Sequence, residues 1–301
     1  MNPRRALFVL MLLVGAQSQA QPIVLPTVVF MSDFGVKDSA VAVCKGVMWQ
    51  IKPDLRIVDL THESPPYDIE AASRLLAQTV PFYASGTVFV AVIDPGVGSA
   101  RKSIAVKTKK GHFLVGPDNG MFAAVAADEG FDGAVELKNA RYFRAQVSST
   151  FHGRDVFSPV GAYLASGVPF EDLGPRLKEI ARLTVKEARI QDGAVEGRID
   201  YVEDPYGNAV TNIPRELAEK AGIKLGDDLE LRAGGKSIVL PLKKTFSDVP
   251  IGAPLAVYHS RGALSFSINQ GDFAQARGIR AHDPIQVKRT SSRSNLDIIR
   301  P

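Results

Sequence analysis

Residues 88–93 read Val-Phe-Val-Ala-Val-Ile, and this run of six apolar side chains constrains the fold most. A strand without polar side chains on either face must be covered on both sides, as central strands of parallel sheets are. Shorter apolar runs at 27–31 and 55–60 precede helix-like stretches at 39–51 and 69–80. This alternation of strands and helices predicts a layered α/β domain with a largely parallel central sheet.

The α/β pattern continues beyond this strand. Runs at 103–107 and 112–115 predict a hairpin, and residues 155–166 predict a further helix. The pattern then weakens in a segment that contains two prolines and a glycine, at 169–175. We therefore expect an N-terminal α/β domain over residues 23–186.

The pattern changes in the last third of the chain. Short alternating runs, separated by turn residues, lie at 193–202, 229–233, 237–241, 255–259 and 263–268. This spacing predicts a smaller, antiparallel, β-barrel-like C-terminal domain over residues 187–289. A polar tail follows at 290–301.

The N-terminus has the pattern of a secretory signal. Arg4 and Arg5 precede an apolar run at 6–16, and Ser18 and Ala20 supply the small residues of a cleavage site. The alternative is an uncleaved anchor, but about eleven apolar residues are too few to span a bilayer. We therefore expect a signal peptide over residues 1–20, cleavage after Ala20, and an exported, periplasmic protein with no stable membrane insertion.

Charge and cysteine content exclude several kinds of protein. Removing Arg4 and Arg5 with the signal leaves 34 basic residues against 32 acidic ones, and the basic residues are scattered. We therefore expect no nucleic-acid partner. Cys44 is the single cysteine, which excludes an internal disulfide and a cysteine metal cluster. It lies among small apolar residues and is expected to be a buried packing thiol.

Two aspartates follow the first predicted strand. Asp33 comes directly after it, and Asp38 five residues later. Acidic side chains just past the carboxyl end of a strand face the ligand crevice of an open α/β sheet. One carboxylate there can accept hydrogen bonds from a ribose diol, and a second can pair with an ammonium group. For Asp38, capping of the following helix is an equally open alternative.

A second acid leaves the most buried strand. Asp94 follows the 88–93 run, Gly96 and Gly98 allow a ligand to approach the backbone closely, and Arg101 comes shortly after. This is the expected position of an active-site carboxylate in such a sheet. The sequence Pro-Asp-Asn-Gly at 117–120 is similar in style, but simple turn chemistry explains it equally well.

His152 lies in the sequence Ser-Thr-Phe-His-Gly-Arg-Asp at 149–155. A histidine near its unperturbed pKa can move a proton, and a nearby carboxylate can fix its tautomer. Arg154 and Asp155 can instead form an ion pair that only holds the loop. The residue types alone leave both interpretations open.

The second half of the chain also carries polar clusters. Asp204 and Asn208 lie in one, and Ser260 and Arg261 in another. Amides suit the donor and acceptor edge of adenine, and arginine suits a carboxylate. Ordinary turn formation explains both clusters equally well from the residues alone.

Five motifs in order resemble the S-adenosyl-L-methionine (SAM) hydrolases, also called SAM hydroxide adenosyltransferases, relatives of the fluorinase and chlorinase. The motifs are Ser-Asp-Phe-Gly with a following Asp, Asp-Pro-Gly-Val-Gly with Arg, Pro-Asp-Asn-Gly, Ser-Thr-Phe-His-Gly-Arg-Asp, and Gly-Asn with Thr-Asn-Ile. The resemblance covers residues 28–278. It implies a homotrimer, with each active site between the N-terminal domain of one subunit and the C-terminal domain of its neighbour.

The resemblance also implies roles for individual residues. The catalytic group falls on Asp94, Arg101 and His152. The substrate-binding residues fall on Asp33 at the ribose, Asp38 at the methionine ammonium, Asn208 at the adenine, Ser260 and Arg261 at the methionine end, and Asp204 as a further carboxylate on the methionine side. Glu203 is adjacent to Asp204, and the correspondence can shift by one residue there.

The implied reaction is attack of activated water at ribose C5′ of SAM, giving adenosine and L-methionine, with no cofactor and no metal. The halogenases lack the Asp and His of the catalytic group, and the fluorinase carries a long insertion after the arginine. Here Asp94 and His152 are present, and only fifteen residues separate Arg101 from Pro117. A halide-dependent SAM adenosyltransferase and a non-catalytic exported nucleoside- or SAM-binding protein remain the alternatives.

Overall fold

The computed structural model describes residues 26–290. The predicted signal peptide at 1–20 and all of the predicted tail except Thr290 lie outside the described residues. Between residues 26 and 290, none of the helices has both the length and the apolar character needed to cross a membrane.

The first sheet contains seven strands in the order β2-β1-β3-β5-β4-β6-β7. They are β1 (Thr27–Ser32), β2 (Arg56–Thr61), β3 (Val88–Val92), β4 (Ser103–Thr108), β5 (Phe113–Pro117), β6 (Phe131–Glu136) and β7 (Arg176–Leu177). The strands β2, β1, β3 and β5 pair in parallel, whereas β4, β6 and β7 join antiparallel at one side. The prediction of a largely parallel central sheet is confirmed.

Helices cover both faces of this sheet, because the side chains of β3 alternate between two apolar layers. Val88, Val90 and Val92 pack in one layer with α1 (Ala40–Ile51) and α4 (Ser158–Ala165). The intervening Phe89 and Ala91 pack in the other layer with α2 (Ile69–Thr79) and α3 (Ala123–Glu129). The double cover predicted for the 88–93 run is therefore present.

The second sheet contains eight antiparallel strands and is barrel-shaped and nearly closed. Its strands are β8 (Arg189–Gln191), β9 (Ala194–Glu203), β10 (Asn208–Pro214), β11 (Asp228–Ala233), β12 (Lys236–Pro241), β13 (Pro254–Tyr258), β14 (Ala263–Ile268) and β15 (Pro284–Arg289). A bridge between Leu242 and Ala256 brings the two ends of the sheet together. The barrel-like prediction is confirmed, while the exact division at residue 187 stays a prediction.

The sequence analysis missed some elements of the second half. The strands β10 and β15 and the short helices α5 (Arg215–Lys220) and α6 (Phe273–Arg277) had no predicted counterpart. Asn208 begins β10 and is buried, although its surroundings predicted a turn.

The two sheets contact each other through one polar face of α2. Glu70 pairs with Arg198, and Gln78 accepts a hydrogen bond from Arg261. Between them, Arg74 lies 3.4 Å from Asp200 and stacks over the ring of Tyr201. Residues 70, 74 and 78 share one helix face because they are four residues apart.

Helix α4 packs closely against β3 because Gly161 has no side chain. A Cβ at this position would lie 2.3 Å from Cγ2 of Val90. We expect Gly161→Ala to lower the free energy of unfolding by about 1–3 kcal/mol, measured by denaturant titration, because the core has no room for the methyl group. Gly46→Ala in α1 is the matched control: a Cβ there meets nothing within 4 Å, so it should stabilise by about 0.5–1 kcal/mol. An undisturbed Gly161→Ala variant would contradict this packing.

Candidate active site

Two aspartates predicted to bind or act on a ligand lie at one edge of the first sheet. Strands β1 and β3 are parallel neighbours, and Ser32 pairs with Val92 at their carboxyl ends. Asp33 follows β1 directly and Asp94 comes two residues after the end of β3, so the topology brings both to the same edge. This is where ligands bind in open α/β sheets.

The three residues predicted to be catalytic form one hydrogen-bonded cluster. Arg101 donates from Nε to Oδ1 of Asp94 at 2.9 Å and from Nη2 to Oδ2 at 2.6 Å. The same Nη2 lies 2.7 Å from Nδ1 of His152. The side chains of Asp94 and Arg101 are only 6% and 10% exposed, so water screens this charge pair weakly.

Arg101 is held on two further sides. Its Nη1 donates to Oγ of Ser103 at 2.8 Å, and its guanidinium lies 5.4 Å from the ring centre of Phe157. A guanidinium with several fixed partners presents its charge in one direction. The site therefore contains a cation of fixed orientation beside an acid and an imidazole.

The contact with Arg101 determines the protonation of His152. A guanidinium only donates hydrogen bonds, so Nδ1 of His152 accepts and the proton of the neutral ring lies on Nε2. Burial lowers the pKa of His152 below its ordinary value of 6.5, and the charge of Arg101 lowers it further. The charges of Asp94 and Asp155 oppose this effect but do not cancel it.

Asp155 anchors the loop that carries His152. Its carboxylate is fully buried and accepts from Arg154 at 2.7 and 2.9 Å, from the Ser148 N–H at 2.9 Å and from Arg144 at 3.3 Å. Burial alone would raise the pKa of Asp155, but these hydrogen bonds and charges outweigh it and hold the pKa below the usual range. The structure therefore shows the ion pair with Arg154, and Arg101 rather than a carboxylate contacts Nδ1 of His152.

The helix predicted at 155–166 begins differently in the structure. Residues Gly153–Phe157 form a π-helical turn, and α4 starts only at Ser158. Such turns are frequent at functional sites. Gly153 is required here, because a Cβ would lie 2.8 Å from Cζ of Phe34 in the loop that follows β1.

The loop after Asp94 also packs against the His152 loop. Gly98 has φ of +77°, and a Cβ there would lie 2.9 Å from the carbonyl oxygen of Ser149. Asn119, in the Pro-Asp-Asn-Gly sequence, donates to the carbonyl of Ile93 at 2.8 Å and so fixes the residue before Asp94. The turn at 117–120 therefore helps to position Asp94 through the backbone of Ile93.

The predicted binding aspartates have different surroundings. Asp33 accepts a hydrogen bond from the Tyr67 N–H at 3.0 Å, and the Tyr67 side chain is largely exposed. Asp38 is exposed and accepts from the Ala40 N–H at 2.8 Å, but it precedes Ser39, the N-cap of α1, and so does not cap the helix itself. The ribose and ammonium roles of the two residues stay predictions.

A cleft of about 770 Å³ on the barrel contains two more of the predicted residues, Asn208 and Ser260. Glu203 lines it and accepts from Asn208 at 2.8 Å, and it lies 3.3 Å from Nε2 of His259. Burial opposes ionisation of Glu203, but hydrogen bonds from Asn208 and His259 and the charge of Arg261 lower its pKa.

Two other predicted residues of the second half, Asp204 and Arg261, are not among the residues that line the cleft. Asp204 is exposed, and the acidic residues that line the cleft are its neighbour Glu203 and Asp272. Arg261 contacts Gln78 at the end of α2. The exposed aromatic residues Tyr206 and Phe246 also line the cleft, and the sequence analysis missed them. The sequence signal for a binding surface was the aromatic residue Tyr206 within the turn sequence Pro-Tyr-Gly-Asn at 205–208.

Within residues 26–290, no group of three or more His, Cys, Asp and Glu side chains is arranged to hold a metal ion. The cluster of Asp94, Arg101 and His152 includes a guanidinium, which occupies both carboxylate oxygens.

Two family models match the chain in succession. The model of the SAM hydroxide adenosyltransferase N-terminal domain matches residues 28–174, and that of the C-terminal domain matches residues 197–286. The first contains the α/β sheet with its polar edge, and the second contains most of the barrel. The chain belongs to the SAM hydroxide adenosyltransferase family.

Individual relatives agree with this assignment. The chain is 38% identical over 266 residues to an (R)-S-adenosyl-L-methionine hydrolase of Salinispora arenicola, covering 87% of this chain and 97% of the relative. It is 32% identical over 290 residues to a fluorinase of Nocardia brasiliensis, covering 87% and 97%. An uncharacterized conserved protein of Thermotoga maritima has a similar solved structure, with a TM-score of 0.82, 36% identity and coverage of 87% and 100%.

The contact between Arg101 and His152 predicts a measurable titration. We expect ¹⁵N-detected NMR of the histidine side chains to place the pKa of His152 below 6.5, with the Nε2–H tautomer above that pKa. Arg101→Gln should raise the pKa, because it removes a nearby positive charge. A His152 pKa above 6.5 would contradict the geometry.

Proposed function

We propose that this protein hydrolyses SAM to adenosine and L-methionine by attack of water at ribose C5′. The single observation that carries the proposal is the buried cluster of Asp94, Arg101 and His152 at the ligand edge of the sheet. The hydrolase name of the 38%-identical Salinispora relative supports the same reaction.

The chemistry of SAM fits a buried site of this kind. The sulfonium sulfur leaves C5′ as a neutral thioether, so attack by a hydroxide-like oxygen removes charge, and a site shielded from water favours such a step. As the O–C5′ bond forms, the C5′–S bond breaks and its electron pair stays on sulfur. Water is a weak nucleophile, so it needs a group that takes its proton.

Asp94 is the proposed proton acceptor. Both its oxygens accept from Arg101, but each keeps a second lone pair that can accept from water. Arg101 stabilises the negative charge that develops on the attacking oxygen. His152, neutral and with Nδ1 engaged by Arg101, keeps its Nε2–H as a donor that orients the water.

The proposed substrate contacts come from both halves of the chain. Asp33 binds the ribose diol and Asp38 the methionine ammonium. Asn208 contacts the adenine, and Ser260 and Arg261 hold the methionine carboxylate. For the further carboxylate on the methionine side, the lining of the cleft supports Glu203 over Asp204.

Labelled water tests the reaction directly. We expect purified protein, given separated (R)- and (S)-SAM in oxygen-18 water, to release adenosine with label in its 5′-oxygen. Asp94→Ala and His152→Ala should each lower kcat by about 10²–10⁴-fold while SAM binding changes much less. Asp132→Ala removes an exposed carboxylate of β6 and should leave turnover unchanged.

Three outcomes of that experiment would count against hydrolysis. Unlabelled adenosine would exclude water as the nucleophile. Formation of 5′-chloro-5′-deoxyadenosine on addition of chloride would favour the halide-dependent alternative, which the 32% identity to a fluorinase keeps relevant. Tight binding of SAM that stays intact on long incubation would identify a binding protein.

We also propose that the active site forms between copies of the chain, in the homotrimer that the family resemblance implies. The support comes from α2. Just before this helix, the Tyr67 N–H reaches Asp33, and at its far end Gln78 contacts Arg261. At 1.5 Å per residue, the ten steps from Asp68, the N-cap of the helix, to Gln78 span about 15 Å.

Within one chain, Arg261 contacts the C-terminal end of α2, whereas Asp33 contacts the residue just before its N-terminal end. This separation favours a site in which the two contacts to one substrate come from different copies of the chain. In the proposed trimer, a neighbouring copy supplies the second half of the site. This requires a head-to-tail contact, which closes into a ring.

Complementation tests this arrangement. Asp94→Ala and Arg261→Ala should each be nearly inactive alone, whereas random co-expression should restore about a quarter of the wild-type activity, because one interface in each mixed trimer, and about a quarter of all interfaces, combines two intact halves. Native mass spectrometry should show three chains per particle. Mixed particles without recovered activity would place the whole site in one chain.

A further inference from the structure

A chain of hydrogen bonds runs behind Asp33. Oγ of Ser32, the last residue of β1, lies 2.7 Å from Nδ1 of His62, and Nε2 of His62 lies 3.1 Å from Oδ1 of Asp59. Lys45 donates to the other oxygen of Asp59 at 2.6 Å. We call Ser32, His62 and Asp59 the Ser32 relay. It has the residue types of a hydrolytic triad, next to a predicted ligand contact.

The burial of Ser32 excludes a nucleophilic role. Its side chain is 0% exposed and that of His62 is 5% exposed, so no substrate carbon can reach the hydroxyl. Buried polar groups that are fully hydrogen-bonded instead hold a local structure in one arrangement. The relay therefore acts on the backbone around it.

The direction of each hydrogen bond follows from the partners. The carboxylate of Asp59 can only accept, so Nε2 of His62 carries a proton. In the neutral ring Nδ1 is then an acceptor, which receives the hydroxyl proton of Ser32. The Ser32 oxygen in turn lies 3.4 Å from the Phe34 N–H, on the far side of Asp33.

The segment from His62 to Tyr67 holds the same loop with its backbone. The carbonyl of His62 accepts from the Gly35 N–H at 2.7 Å, and Gly35 has φ of +69°, which favours glycine. At the other end of the segment, Tyr67 adopts φ of +66° and donates its N–H to the Asp33 carboxylate. The loop that carries Asp33 therefore contacts the His62–Tyr67 segment on both sides of Asp33, and His62 begins that segment.

We infer that Ser32, His62 and Asp59 are positioning residues that set the orientation of the Asp33 carboxylate, and through it the affinity for the substrate, without touching the substrate. The inference rests on the proposed function, in which Asp33 binds the ribose of SAM. Because the relay acts on binding, its loss changes KM more than kcat.

Two substitutions of His62 separate the two halves of the relay. His62→Asn keeps an acceptor oxygen near the position of Nδ1, whereas His62→Gln keeps an amide donor near the position of Nε2. We expect Ser32→Ala and His62→Gln each to raise KM for SAM about three- to tenfold, the value of one buried hydrogen bond, with kcat within about twofold of wild type. His62→Asn should restore a KM close to that of wild type.

The double variant Ser32→Ala/His62→Gln tests whether the two residues act through the same bond. Its KM should be no higher than that of either single variant, because the second change removes nothing further. Multiplied effects would mean that the two residues act independently, and would overturn the relay.

His112→Gln is the matched control for His62→Gln. His112 is also buried, just before β5, with Nδ1 2.5 Å from Oε2 of Glu129 and Nε2 2.9 Å from the carbonyl of Tyr83. Losing the contact at Nδ1 should lower Tm without changing KM, because neither partner belongs to the site. Equal KM changes in the His112 and His62 variants would show a general loss of structure rather than positioning.

Hydrogen exchange gives a readout that does not depend on turnover. The amides of Phe34, Gly35 and Tyr67 should exchange faster in Ser32→Ala and His62→Gln but not in His62→Asn. If the wild-type protein leaves SAM intact, the proposed function fails, and this exchange pattern still supports the positioning of the loop. If the wild-type protein hydrolyses SAM and the two His62 variants have the same KM and exchange, the inference is wrong.

Discussion

The burial of β3 on both faces is the constraint on which the rest of the structure depends. Its alternating side chains enter two separate apolar layers, so helices must lie on both sides of the sheet. The buried Ile93 continues this strand by one residue, and Asp94 comes next. The polar cluster with Arg101 and His152 is thus built at the end of a strand whose residues are all buried.

Much of this arrangement could be predicted from the sequence, because local patterns carry it. Apolar runs gave the strands of the parallel sheet, and their carboxyl ends gave the edge where Asp33 and Asp94 lie. The grouping of Asp94, Arg101 and His152 was predicted through the resemblance to a family, and the structure brings the three side chains together. Residue types and spacing alone left the structural alternatives open.

The remaining features depend on contacts between distant residues, which no local pattern reveals. The π-helical turn at Gly153–Phe157 contains Asp155, which Arg144 and Ser148 contact as well as its neighbour Arg154. The contact of Arg261 with Gln78 joins positions 183 apart in the chain. The relay at His62 was missed for the same reason, since its partner Ser32 lies on another strand.

Helix α4 follows the turn that carries His152 without a single intervening residue. The position in which this helix packs on β3 depends on the close approach of Gly161 to Val90. No flexible linker absorbs a displacement of the helix, so a shift of its axis is passed on to the imidazole. Substitutions in this core that aim at higher thermal stability would therefore also move His152. Stabilising substitutions are better placed on the outer surface of the barrel.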